Sequence, residues 1–193
     1  MPTRLRFLTG TPSRERAQFD TGLQGVVLAL TLALSTAAQS GGPIGCGIVV
    51  SPEAATQLLN DVRQRGAVCS TGATSTAATL AWNDRLAEAA LVQAREMARL
   101  DRMSHRDSRN RGLAERLQAV GYPLGIAVEN VAVGYPSIDD VVDAWLDSEG
   151  HCANLMNAAV REFGIACFDA VSTGAPEERR YWALVLGVPP RSR

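Results

Sequence analysis

The sequence predicts an α+β domain, a three-layer α/β/α sandwich around a central, mainly antiparallel sheet. Three observations lead there. The segment Tyr181-Trp182-Ala183-Leu184-Val185-Leu186 is apolar at every position, the pattern of a strand covered on both faces. A second strand pattern, residues 162 to 168, precedes it across a polar loop, 172 to 179, that can close a hairpin. Ahead of both lie several stretches with helical spacing, and a sheet covered on both faces needs helices on both sides.

The elements follow in order. Residues 39 to 51 are Gly-rich and read as an arm. Ser51-Pro52 is an N-cap followed by proline at the first helical position, Leu58, Leu59 and Val62 supply an apolar stripe, and Gly66 ends a helix over 52 to 65. Small and hydroxyl residues from Ser70 to Thr79 make a loop. From Asn83 to Leu100, Leu86, Ala90, Ala94, Met97 and Leu100 share one face while the charges fall mostly off it, the strongest helix signal in the chain. A shorter helix over 112 to 120 stops at Gly121-Tyr122-Pro123, and Ser137 with Asp140 caps another that carries Ile138, Val141, Val142, Trp145 and Leu146. Gly150 is expected to break that helix just before His151.

The first residues have the order of an export signal: Arg4, Arg6, Arg14 and Arg16, the apolar run Val26 to Leu34, then Ser35-Thr36-Ala37-Ala38. Cleavage is expected near Ala37 or Ala38, because the run is too short for a membrane-spanning helix of about 20 residues. No stable membrane anchor is therefore expected, and a lipid-modified Cys46 is the competing reading. Taking away the first 37 residues removes four arginines and two acids and leaves 15 basic against 18 acidic side chains, which argues against a nucleic-acid partner. All nineteen basic residues are arginine, which reads as coding bias rather than function. About 155 residues remain, enough for one domain with a sizeable core, expected to be a monomer.

Four cysteines, Cys46, Cys69, Cys152 and Cys167, in an exported chain are expected to pair. Three connectivities are open. Neighbouring pairs, Cys46 with Cys69 and Cys152 with Cys167, are the simplest, and the second would hold the His151 segment to the following strand.

Three polar islands stand out: Ser104-His105, Glu129-Asn130 inside the apolar stretch Ile126 to Val133, and Asp147-Ser148-Glu149-Gly150-His151. His105 and His151 are the only histidines. Glu129 and Asn130 are costly in apolar surroundings unless they find partners. Two imidazoles and a carboxylate that converge could hold a divalent cation or move protons near neutral pH.

The ordered motifs Leu59-Asn60-Asp61-Val62-Arg63, Leu80-Ala81-Trp82-Asn83, Ser104-His105, Glu115-Arg116-Leu117 with Gly121-Tyr122, Glu129-Asn130-Val131-Ala132, Trp145 to Asn154, Phe163-Gly164-Ile165-Ala166 and Tyr181-Trp182 resemble the CAP superfamily of cysteine-rich secretory, antigen 5 and pathogenesis-related proteins, and especially its bacterial secreted members. The resemblance runs from about Leu58 to Gly187, within a domain expected over 52 to 190. It implies an α/β/α sandwich with a central groove, formed here by His105, Glu129, Asn130, Ser148, Glu149 and His151. It also implies that His105, Glu129 and His151 match three of four positions that bind a divalent cation such as Zn2+ in many members. The fourth, a glutamate in many eukaryotic members, is Ser148 here, with Asp147 and Glu149 as the nearby acids. Ala183-Leu184 replaces the polar pair common after Tyr-Trp.

The leading functional reading is a secreted binding module for a lipid, sterol or peptide. The alternative is an extracellular hydrolase in which a histidine is the general base or zinc activates water, and a third reading keeps the histidines structural in an interaction domain. No serine stands in a nucleophile-elbow motif and no His-Glu-x-x-His helix is present.

Overall fold

The computed structural model describes Cys46 and residues 51–69, 74–170 and 179–190. The expected signal over 1–38 and nearly all of the arm lie outside the described residues. The described part belongs to one unit, 38–193.

Helix α1 (Pro52–Arg65) starts where Ser51 accepts the Ala54 amide and ends at Gly66, whose φ of 79° favours glycine. Two short strands, β1 (Ala67–Val68) and β2 (Thr74–Ser75), form a small antiparallel ribbon. Strand β3 (Ala81–Trp82) leads into α2 (Asp84–Leu100), capped by the Asn83 side chain. Then come α3 (Leu113–Ala119), β4 (Ile126–Val133), α4 (Ile138–Leu146), α5 (Glu149–Leu155), β5 (Glu162–Ala170) and β6 (Arg179–Val188).

The main sheet runs β3-β5-β6-β4. Its long pairings, β5 with β6 and β6 with β4, are antiparallel, while the two-residue β3 joins β5 in parallel, so the sheet is mixed. The everywhere-apolar β6 faces two cores. Trp182, Leu184 and Leu186 point into the layer of α1, α4 and α5, and Tyr181, Ala183 and Val185 into that of α2 and α3. The sandwich predicted from β6 is therefore observed. Gly164 brings α2 close to the sheet: a Cβ there would lie 2.0 Å from the Ala87 nitrogen. On the other face the fully buried Arg63 donates to the carbonyls of Ala78, Leu155 and Asn157, tying α1 to the end of α5.

Two expectations are corrected. The disulfides join Cys46 to Cys167 and Cys69 to Cys152, with Cα atoms 5.4 and 5.5 Å apart, rather than neighbours in sequence. The reason is the strand between them: β5 begins at Glu162, soon after α5, and carries Cys167 five residues along the sheet, about 16 Å at strand rise. Gly150 also does not break a helix. The chain turns at Asp147 and Ser148, and Gly150 and His151 lie inside α5; α4 is short enough that the turn and not the glycine separates the two.

Candidate functional site

Strand alternation decides where the polar pair of β4 goes. Val131 and Ala127 join the α2/α3 core, while Val128 and Ala132 join the other, so Glu129 points toward α3 and Asn130 toward α5. Each meets partners there. Glu129, 8% exposed, accepts from Arg116 Nη2 through Oε2 and from His105 Nδ1 through Oε1 at 2.9 Å. Asn130, fully buried, donates to the His151 carbonyl at 3.0 Å and accepts from Asn154 Nδ2 at 2.9 Å. The two histidine segments are thus tied to β4 from opposite helical layers, His105 through its ring on Glu129 and His151 through its carbonyl on Asn130.

The His105 segment is held by its main chain. Arg116 Nη1 donates to the His105 carbonyl at 3.1 Å, Gln93 Nε2 to the Ser104 carbonyl, and the Ser104 hydroxyl accepts the Arg106 amide at 2.9 Å. Asp107 closes the same loop by accepting from the amides of Arg109 and Arg111 and from the Arg111 guanidinium. The His105 ring itself stays largely exposed, its side chain at 59%. With Nδ1 donating to a carboxylate, Nε2 is the free nitrogen.

Beside this cluster opens a groove of about 350 Å³, lined by polar His105, Arg106, Glu129 and Asn154 and by apolar Leu113, Ala127 and Val128. The sequence profile of the Cysteine-rich secretory protein family, CAP, matches residues 56–184. This chain belongs to the CAP family.

Solved CAP-type structures share the fold. An extracellular protein containing an SCP domain from Bacillus anthracis superposes with a TM-score of 0.55 at 23% identity, over 70% of this chain and 39% of that one. An outer surface protein from Borrelia burgdorferi gives 0.55 at 17% identity, over 70% of this chain and 90% of its own. An uncharacterized membrane protein of Bacillus subtilis, YlbC, is 31% identical over 88 residues, which is 46% of this chain and 25% of that protein. The chain thus spans a quarter of the Bacillus subtilis protein and well under half of the Bacillus anthracis one.

Of the expected groove residues in this CAP domain, His105 and Glu129 line the groove and Asn130 lies buried behind it. Ser148 and Glu149 do not line it: Ser148 sits at the start of α5, its carbonyl accepting the Cys152 amide, and Glu149 is exposed in the first turn. His151 stands on α5 at the far side of the β4 edge. The sequence reading passed over Arg116, Gln93 and Asn154 as site residues. Only Asn154 had a visible signal, as the last polar residue of the His151 island.

Among the described residues, no three His, Cys, Asp or Glu side chains converge as a metal cage. Both Glu129 oxygens are engaged, one of them by a guanidinium. That arrangement suits Glu129 to orienting His105 rather than to binding a cation. The remaining donors are His105 Nε2 and the His151 ring.

The two imidazoles are driven apart in acidity. The Glu129 hydrogen bond raises His105 above its ordinary value of 6.5, against partial burial. Burial, and then the charge on His105, lowers His151. Above about pH 6.5 the folded state holds the extra proton on His105, so stability from that pair declines as pH rises through the folded value. Below about 6.5 the unfolded chain holds the extra proton at position 151, so stability rises with pH toward that point. Metal-free protein should therefore show a shallow stability maximum near neutral pH, shallow because His105 is screened by solvent. NMR titration of the two rings reads this directly, and His151 titrating above His105 would refute it.

Proposed function

We propose that this chain is an exported CAP domain that works as a binding module, taking a small amphipathic ligand (a lipid, sterol or peptide) in the groove beside β4. Export is supported by the basic, apolar and small-residue order of the first 38 residues and by two disulfides among the described residues. The observation that carries the binding reading is the groove's mixed lining, apolar Leu113, Ala127 and Val128 together with polar His105, Arg106, Glu129 and Asn154, as expected of a ligand site. The Glu129 carboxylate is already engaged on both oxygens, which favours orientation over proton abstraction.

A weak divalent-cation site is part of this reading, with His105 Nε2 and His151 as ligands and Glu129 fixing the His105 ring. A cation there would supply Lewis acidity, and the hydrolase alternative needs it or a basic His105; the His105–Glu129 pair at 2.9 Å is the one feature that favours that alternative.

One preparation tests both. Exported protein, stripped of metal, should carry an organic ligand by mass spectrometry that Leu113→Glu loses. Calorimetry at about pH 7.5 should show one zinc site that fades as the imidazoles protonate, through about pH 6 to 7. Ligand-free protein that cleaves ester substrates in a His105-dependent way would overturn the module reading in favour of the hydrolase.

A further inference from the structure

The main sheet ends at β4, and the direction of its main-chain groups follows from three separate contacts. The Gly134 amide donates to the Arg180 carbonyl at 3.0 Å, and Val133 is paired with Tyr181, so position 134 faces β6. The Gly187 carbonyl accepts the Arg161 amide at 2.9 Å, so Gly187 faces β5 and its partner across β4, Ala127, faces away from β6. The carbonyls of Glu129 and Val131 accept from Asn154 Nδ2 at 3.3 Å and Trp145 Nε1 at 3.4 Å, side chains outside the strand. All three give one parity: positions 127, 129, 131 and 133 direct their amides and carbonyls to the outer edge.

An exposed edge invites pairing with another strand, and proteins usually block it. Here Asn154 of α5 and Trp145 of α4 do so at the carbonyls of Glu129 and Val131. Ala127 is left open: its amide and carbonyl have no partner among the described residues, and it lines the groove. Ile126 beside it is 47% exposed. Arg106 also lines the groove, from a loop where Arg102, Arg106, Arg109 and Arg111 stand against two acids, Asp101 and Asp107, each already paired with an arginine, while the Glu115 carboxylate of α3 acts on Arg106.

We propose that the outer edge of β4 at Ala127 is a docking strand for an extended acidic peptide, which exchanges main-chain hydrogen bonds with Ala127 and sets a carboxylate against Arg106. The proposal rests on the binding-module reading and selects among its ligands. A hydrocarbon or sterol laid over Ala127 would bury an unpaired amide and carbonyl, which is unfavourable. A peptide strand satisfies both at once, as in other strand-addition complexes. Leu113 and Ile126 are then placed to take its apolar side chains, and the closed edge beyond Glu129 limits how far it can run.

The test uses the exported full-length protein and a phage-displayed library of random hexapeptides, with vesicles of phosphatidylcholine and phosphatidylglycerol as the competing probe. Selected peptides should be enriched in acidic residues. Methylating the paired amide of a synthetic selected peptide should weaken it roughly three- to tenfold, the scale of one hydrogen bond. The Ala127→Pro variant removes an outward amide that the sheet does not use, a position where proline is tolerated, and should weaken binding by a similar factor. Should that variant not fold, the Ala127 amide of the native protein should still gain hydrogen-exchange protection when peptide is added. Peptides that bind equally well to Ala127→Pro and are indifferent to N-methylation would overturn strand addition while leaving the module intact. Vesicle binding with no peptide selected would do the same. A protein that takes no ligand of any kind would remove both readings.

Discussion

Replacing Arg116 by alanine is expected to destabilise the fold by about 3–5 kcal/mol, the range for removing one partner of a buried ion pair. The guanidinium and the Glu129 carboxylate are 2% and 4% exposed, so the deletion strands a carboxylate away from water with only the partly exposed His105 as a partner. It also frees the His105 carbonyl. Glu129→Gln should be costly for the mirror reason, leaving the cation without its counter-charge. The double change Arg116→Met with Glu129→Leu should recover much of the loss, because neither buried charge then remains. Chemical denaturation of the four proteins measures each loss and the recovery, and adding the single changes Arg116→Met and Glu129→Leu completes a double-mutant cycle. A loss below about 1 kcal/mol for Arg116→Ala, the size of an exposed pair, would show that the site is wetter than its geometry. In every variant lacking Glu129 the His105 ring should titrate lower than in the parent, since the hydrogen bond that raises it is gone.

The importance of Arg116 could not be read from the sequence, for a physical reason. Glu115-Arg116-Leu117 has the composition of an ordinary solvated helix turn, and nothing local distinguishes the arginine that turns inward from those that do not. By contrast, Glu129 and Asn130 announced themselves, because polar residues inside an apolar stretch must find partners. That the stretch is the strand β4 came from the structure, and its period then parts them to opposite layers. What the period cannot supply is the identity of the partners, which come from α3, α5 and the His105 loop. The layers themselves were legible for a related reason: β6 is apolar at every position, and only a sheet covered on both faces explains that. Strand β3 was missed since two residues carry no period. Gly150 misled because glycine's weak helix propensity, about 1 kcal/mol, is small beside the packing of Cys152 and Leu155, both fully buried on α5.

The second large effect is expected at the disulfide between Cys69 and Cys152. Mapping without reduction should recover this pair and Cys46–Cys167, and mixed or neighbouring pairs would refute both. Removing either bridge as a paired alanine change should cost about 2–5 kcal/mol. The bridges close 83 and 121 residues, and because loop entropy grows only logarithmically this separates them by about 0.3 kcal/mol. Stability alone will not tell them apart, but position will. Cys69–Cys152 ties α5 to the end of β1, one residue from His151 and two from Asn154, whereas Cys46–Cys167 ties the segment before α1 to β5. Opening the first should loosen α5 and return the burial-depressed His151 toward its ordinary value of 6.5, with His105 little changed because its contacts run through Arg116 and Glu129. Opening the second should leave both rings where they are. Equal His151 titration in the two paired variants would mean that α5 is held by packing alone, and that the bridge contributes to the unfolded chain rather than to the site.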